Sequence, residues 1–163
     1  MRCVALAVLL GVSVAAAAAT VVDESAVAEG VSHYDAGRHA QALTLFQPAA
    51  AAGNPSACHH LGLMHARGEG VPRDLTAAAR WFECAARGGH HHAQFIFGHM
   101  HARGDGVARD RARAHLWFTV AAANGWWKAR EARERLVVEM TPAEVAEAGR
   151  LYRELQGPAP GAQ

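Results

Sequence analysis

The chain has almost no excess of charge of either sign. Sixteen basic side chains stand against 15 acidic ones in 163 residues, a formal net charge of +1. That balance offers no broad electrostatic footprint for nucleic acid, which is not expected as a partner. β-Branched and aromatic residues come singly or in pairs, and aromatics make up only 7% of the chain. Without alternating runs of such residues, strands have little support. No G-x-S-x-G occurs, and none of Ser25, Ser32 and Ser56 is followed three residues on by a lysine. A serine nucleophile therefore lacks its usual setting. No H-E-x-x-H is present, and His99 and His101, on one helix, point about 200° apart. No catalytic residue is assigned, and the chain is not expected to be an enzyme.

What is present is apolar and helix-forming. Hydrophobic residues make up 51% of the chain, enough for the core of one domain. Many of them are alanine, the best helix former.

The N-terminus has a different character. Met1-Arg2 is a short basic start, Cys3 to Val14 is apolar, and the run fades into Ala15 to Ala19. This is the layout of a secretory signal peptide with small residues at the cleavage point, so residues 1–19 are set apart as a leader. The alternative is an uncleaved anchor, for which the apolar run is short. Cleavage removes Arg2 and leaves a near-neutral, exported chain, periplasmic or secreted, with no stable membrane insertion. In an oxidising compartment Cys58 and Cys84 become candidates for a disulfide, the alternative being two separate thiols whose Cβ vectors diverge.

The strongest pattern is a repeat. Met64 to Val71 reads M-H-A-R-G-E-G-V and Met100 to Val107 reads M-H-A-R-G-D-G-V, 36 positions later. The same offset carries Leu61-Gly62 onto Phe97-Gly98, Arg73-Asp74 onto Arg109-Asp110 and Trp81-Phe82 onto Trp117-Phe118. A fixed period of this size means one supersecondary unit stacked several times.

Apolar spacing and capping residues predict helices over 24–36, 40–52, 55–66, 75–87, 91–102, 111–123, 126–139 and 142–156. Asn54 before Pro55, Asp74, Asp110 and the Thr141-Pro142-Ala143-Glu144 box supply the starts. Gly62 and Gly98 are mid-helix, where glycine costs about 1 kcal/mol, so a neighbouring backbone is expected close by, at Ala78 and Ala114. Trp126-Trp127 are expected to pack under the last helix against Leu151 or Tyr152, the alternative being an exposed aromatic anchor. Arg67 and Arg103 suit the negative ends of their helices and have Asp74 and Asp110 nearby.

Ala57, Leu61-Gly62, Gly68, Gly70-Val71, Asp74, Ala78, Trp81, Ala85-Ala86 and Gly89, repeated from Ala93 to Gly125, resemble the Sel1-like repeat, a longer-looped relative of the tetratricopeptide repeat. Tyr34 to Asn54 is similar to the shortened first unit of bacterial members, its hairpin loop five residues shorter. His65 and His101 stand where the family usually has tyrosine, and Arg133-Glu134 where Leu-Gly is expected, so the last unit looks like a cap. The resemblance implies an all-α solenoid of about four antiparallel helix hairpins in a right-handed superhelix. The expected organisation is a leader at 1–19, a repeat domain at 20–156 and a flexible tail at 157–163. Within the domain, a degenerate first unit at 24–54 precedes units at 55–89 and 91–125 and capping helices at 126–156.

The resemblance implies an adaptor that holds a protein or peptide on the concave face lined by the first helices. The register places His59, Leu63 and Arg67 on that face, followed by His92, Phe95, His99 and Arg103, then Lys128. Stacking sets His59 beside Phe95, Leu63 beside His99 and Arg67 beside Arg103. An extended peptide carrying a carboxylate suits such a strip. A monomer is expected, without cofactor. Two other readings stay open. Zn²⁺ or Cu²⁺ binding is suggested by His59-His60, His90-His91-His92 and the pair His65/His101, although no recognised ligand spacing occurs. Some secreted relatives of the repeat have been linked to β-lactams, which suggests a hydrolase.

Overall fold

The computed structural model describes the backbone of residues 14–157 and the side chains of residues 24–157. Among the described residues there are eight helices and no strand: α1 (Val14–Asp35), α2 (His39–Ala51), α3 (Pro55–Arg67), α4 (Leu75–Arg87), α5 (His91–Arg103), α6 (Arg111–Ala123), α7 (Trp127–Val138) and α8 (Pro142–Gln156). Of the expected leader, residues 1–13 lie outside the described residues. The helix α1 runs without a break past Ala19 and Thr20.

The offset of 36 survives as geometry. Asn54 accepts from the Ala57 N–H at 3.0 Å, and His90, 36 residues on, does the same through Nδ1 for Ala93 at 3.2 Å. Asp74 caps α4 from Thr76 and Ala77, and Asp110 caps α6 from Arg113. The first helices stop at Gly68 and Gly104, which take up φ of 76° and 84°, a conformation that glycine reaches without a Cβ clash. Arg73 Nε then donates to the Ala66 carbonyl, and Arg109 Nε to Ala102, each at 3.1 Å. These loop arginines, rather than Arg67 and Arg103, satisfy the last-turn carbonyls. The first hairpin turns in three residues, 36–38, against seven at 68–74, a difference of four residues rather than five.

Each of the first three hairpins closes on one glycine and one phenylalanine. A Cβ on Gly62 would lie 2.8 Å from the Phe82 ring, and one on Gly98 would lie 2.7 Å from Phe118. The glycine thus admits a ring, and in the third unit the expected backbone neighbour, the Ala114 carbonyl, also lies 3.3 Å away. Gly30 and Phe46 repeat the relation at 2.7 Å in the first hairpin. The three phenylalanines are buried, each such burial contributing about 1.5–3 kcal/mol. Phe82 and Phe118 therefore fill their own hairpins.

The chain's end departs from this plan. Helices α1 with α2, α3 with α4, and α5 with α6 pack as hairpins, but α8 packs on α6 instead of on α7. Glu134 stands in α7 where Gly98 stands in α5, 36 residues earlier. Its side chain removes the seat a closing ring needs, and α8 crosses over to α6. The all-α solenoid is thus three hairpins followed by two separately packed helices, not four hairpins.

Candidate binding face

The structure joins Cys58 and Cys84, whose Cα atoms lie 6.0 Å apart, and so ties α3 to α4. In the next unit Gln94 takes the place of Cys58. It is buried, donates to the Ala86 carbonyl at 3.0 Å and accepts from Asn124 at 2.9 Å.

Aromatic rings run along the starts of the first helices. Phe46 stacks on His60 at 4.8 Å, His59 lies 5.4 Å from His60, and His59 stacks on His90 at 4.3 Å. His92 meets His59 at 5.1 Å and Trp126 at 4.8 Å. This ladder links α2 to α3, α3 to the start of α5, and α5 to the start of α7. Burial, then the neighbouring imidazoles His90, His60 and His92, hold His59 neutral with a pKa pushed down to about 2. Burial and the adjacent His91 and His92 lower His90 to about 4. A neutral His90 is also what its capping role needs, since Nδ1 must keep a lone pair. Among the described residues, no group of three or more His, Cys, Asp or Glu side chains is placed to hold a metal ion.

The eight residues of the expected strip separate. His59 is only 5% exposed and stacks on His90, not beside Phe95. It is an inter-unit packing group, because the start of α5 covers the side of α3 that the register left open. Leu63 is half-buried against the core. Arg67 is exposed and donates to the Tyr34 hydroxyl at 2.9 Å, which in turn donates to Glu69 at 2.5 Å. It turns back to the first hairpin rather than pairing with Asp74, which is occupied as a cap. His92 is half-buried under Trp126. Arg103 is exposed and, among the described residues, has no ion-pair partner.

Phe95, His99 and Lys128 come together. They line a groove of about 380 Å³ between α5 and α7, with Phe118, Ala132 and Leu136 as further apolar walls. Phe95 lies 4.5 Å from His99 and 5.8 Å from Phe118, and burial followed by the Arg103 charge lowers the His99 pKa. The two carboxylates on the rim are engaged elsewhere, Glu131 by Arg135 and Glu139 by Arg111 at 3.5 Å. Among the described residues Lys128 has no carboxylate partner, and it lies 5.5 Å over the Trp127 ring. The groove thus joins an apolar floor to an uncompensated cation.

Trp126 and Trp127 do not reach Leu151 or Tyr152. Trp126 leans on His91, His92 and Phe95, and Trp127 is 71% exposed. The tryptophan that would have covered α8 is replaced in that role by Leu151 and Tyr152 themselves, which pack against the core cluster containing Leu116 and Trp117.

The Sel1 repeat family matches residues 36–54, 55–90 and 91–126. Among solved structures the chain is similar to a protective antigen present in uropathogenic Escherichia coli strains, described as displaying an SLR fold. Identity is 28% with a TM-score of 0.77, over 82% of this chain and 29% of that one. It is also similar to a Sel1 repeat protein from Oxalobacter formigenes, at 28% identity and a TM-score of 0.66, over 79% of this chain and 55% of that one. The chain therefore spans well under two thirds of the length of either. No curated protein matches it.

Proposed function

This chain belongs to the Sel1 repeat family, and we propose that it is an exported adaptor holding a protein or peptide segment in the groove between its first helices. Members of the family are scaffolds that typically mediate protein interactions. The observation that carries the reading here is the groove of Phe95, His99, Phe118, Leu136 and Lys128. An apolar side chain beside a carboxylate fits it, because the floor is aromatic and Lys128 has no anion partner among the described residues. Arg103, on the last turn of α5, adds a second cation for an extended segment. Export is supported by the leader-like start of the sequence and by the Cys58–Cys84 bridge, which persists in an oxidising compartment. No described helix is long and apolar enough to cross a membrane.

The test is selection from a random peptide library on the purified protein, followed by affinity measurement on Phe95→Ala, Lys128→Glu and Arg103→Ala. Selected peptides should carry an apolar residue next to a carboxylate and lose at least about tenfold in affinity on Lys128→Glu, roughly 1.4 kcal/mol. Far-UV circular dichroism should be unchanged for the two charge variants. Binders indifferent to all three substitutions would overturn the assignment of the groove.

A further inference from the structure

The departure of α8 leaves one side of α7 without a helix against it. Ala129, Ala132 and Leu136 face the core cluster around Phe118. On the opposite side, Val137, Arg130, Glu134, Trp127 and Val138 fall within an arc of about 100° on a helical wheel. All five are exposed, Trp127 at 71% and Val138 at 86%. Arg130 and Glu134 are four residues apart yet not paired with each other, and neither has another ion-pair partner among the described residues. Arginine preceding glutamate is the weaker order for such a pair. Other exposed pairs about one helical turn apart do close, as Glu83 with Arg87 and Glu147 with Arg150.

The pattern is self-complementary. Arg130 and Glu134 are placed symmetrically about Ala132, and so are Trp127 and Val137. We propose that a second copy of this chain docks here, α7 against α7 in an antiparallel two-fold contact centred near Ala132. Arg130 then meets the partner's Glu134, and Trp127 meets the partner's Val137 and the partner's Val138, each contact occurring twice. A partner of one charge sign would leave either Arg130 or Glu134 unmatched, whereas an identical copy satisfies both. The apolar ends bury the exposed indole, and the charged centre sets the register. A contact of one short helix per copy falls at or below about 1,200 Å² in total, which gives a weak, reversible dimer.

Sedimentation velocity over a concentration series tests this, with Arg130→Glu, Glu134→Arg and the double exchange Arg130→Glu/Glu134→Arg. The wild type should pass from monomer to dimer in the micromolar to submillimolar range. Each single reversal should weaken the dimer at least tenfold, because it sets like charges opposite one another twice. The double exchange should restore it, and Trp127→Ala should weaken it without changing helix content. A wild type monomeric throughout the series overturns the proposal, as does a dimer unaffected by the single reversals or not recovered by the exchange. The exposure of these side chains keeps the fold outside the comparison, and Arg130 and Glu134 do not line the groove of Phe95 and Lys128, so the charge reversals should leave peptide affinity unchanged.

Discussion

The rings of His59 and His90 lie 4.3 Å apart and 17° from parallel, the closest contact in a column of imidazoles that joins α3 to α5. Both are held neutral, and the Nδ1 of His59 is buried without a hydrogen-bond partner. The stack works as packing only while uncharged.

Acid should therefore unfold the protein. Above pH 6.5 these histidines are neutral both folded and unfolded, so they cost nothing. Below 6.5 the unfolded chain takes protons that folded His59 refuses until about pH 2, and His90 until about pH 4. Stability falls across that window, by up to about 1.4 kcal/mol per pH unit for a fully excluded group. Urea midpoints measured from pH 7 to 4.5 should decline steadily. In His59→Phe, which keeps a ring on His90, the decline should be shallower. Equal slopes would remove His59 from the account.

Loss of the Cys58–Cys84 bridge should destabilise the protein without dissolving the hairpin. The two cysteines are 26 residues apart, and a loop of that length corresponds to about 3.5 kcal/mol of chain entropy. The pair α3 and α4 keeps the Phe82 ring over Gly62 in either state. Cys58→Ala/Cys84→Ala should lower the unfolding midpoint while leaving the far-UV spectrum nearly unchanged, and reductant should move the wild type toward the variant. A midpoint insensitive to reductant would count against the bridge.

Gln94 does by hydrogen bonding what Cys58 does by covalency, in the next unit. Gln94→Leu removes its bond to the Ala86 carbonyl, which keeps the Gly89 N–H at 3.1 Å, and its bond from Asn124, a loss of about 0.5–1.5 kcal/mol for each bond. Asn124→Ala removes the outer bond alone and should cost less. Because the two bonds share Gln94, the double variant should fall short of the sum of the singles, which chemical denaturation of the four proteins measures.

Most of the architecture was legible because the offset of 36 carries capping residues and glycines together. Helix ends at Asp74, Asp110, Gly68 and Gly104 follow from residue type alone. The cap at His90 was visible only through its correspondence with Asn54, since histidine is an uncommon cap. Gly30 escaped because the shorter first loop puts Phe46 sixteen residues after it, against twenty for Gly62 and Phe82. The binding face was harder to read. Register sets the direction of His59, but its burial depends on how the start of α5 settles over α3, which no local pattern encodes. The turn of α8 onto α6 had a single sign in the sequence, Glu134 in the place of a glycine.

The loops should be the most sensitive points of the solenoid. Gly106 has φ of 70°, and a Cβ there would fall 2.0 Å from the Leu75 carbonyl oxygen, at the start of α4 in the preceding hairpin. Gly70 lies against His39 at the start of α2 in the same way, its Cβ position 2.8 Å from the His39 Cβ. Gly53 has φ of 86° but nothing within 4 Å. Gly53→Ala therefore carries only the cost of a left-handed conformation, about 1–2 kcal/mol. Gly106→Ala adds a clash with backbone that cannot rotate away, and relief requires the two hairpins to separate. Its loss should exceed that of Gly53→Ala by at least about 1–2 kcal/mol, within the range found for overpacking. Equilibrium denaturation of the two variants decides it. Equal losses would mean that the loop lifts freely from α4, and that the hairpins are held together by the histidine column and the core alone.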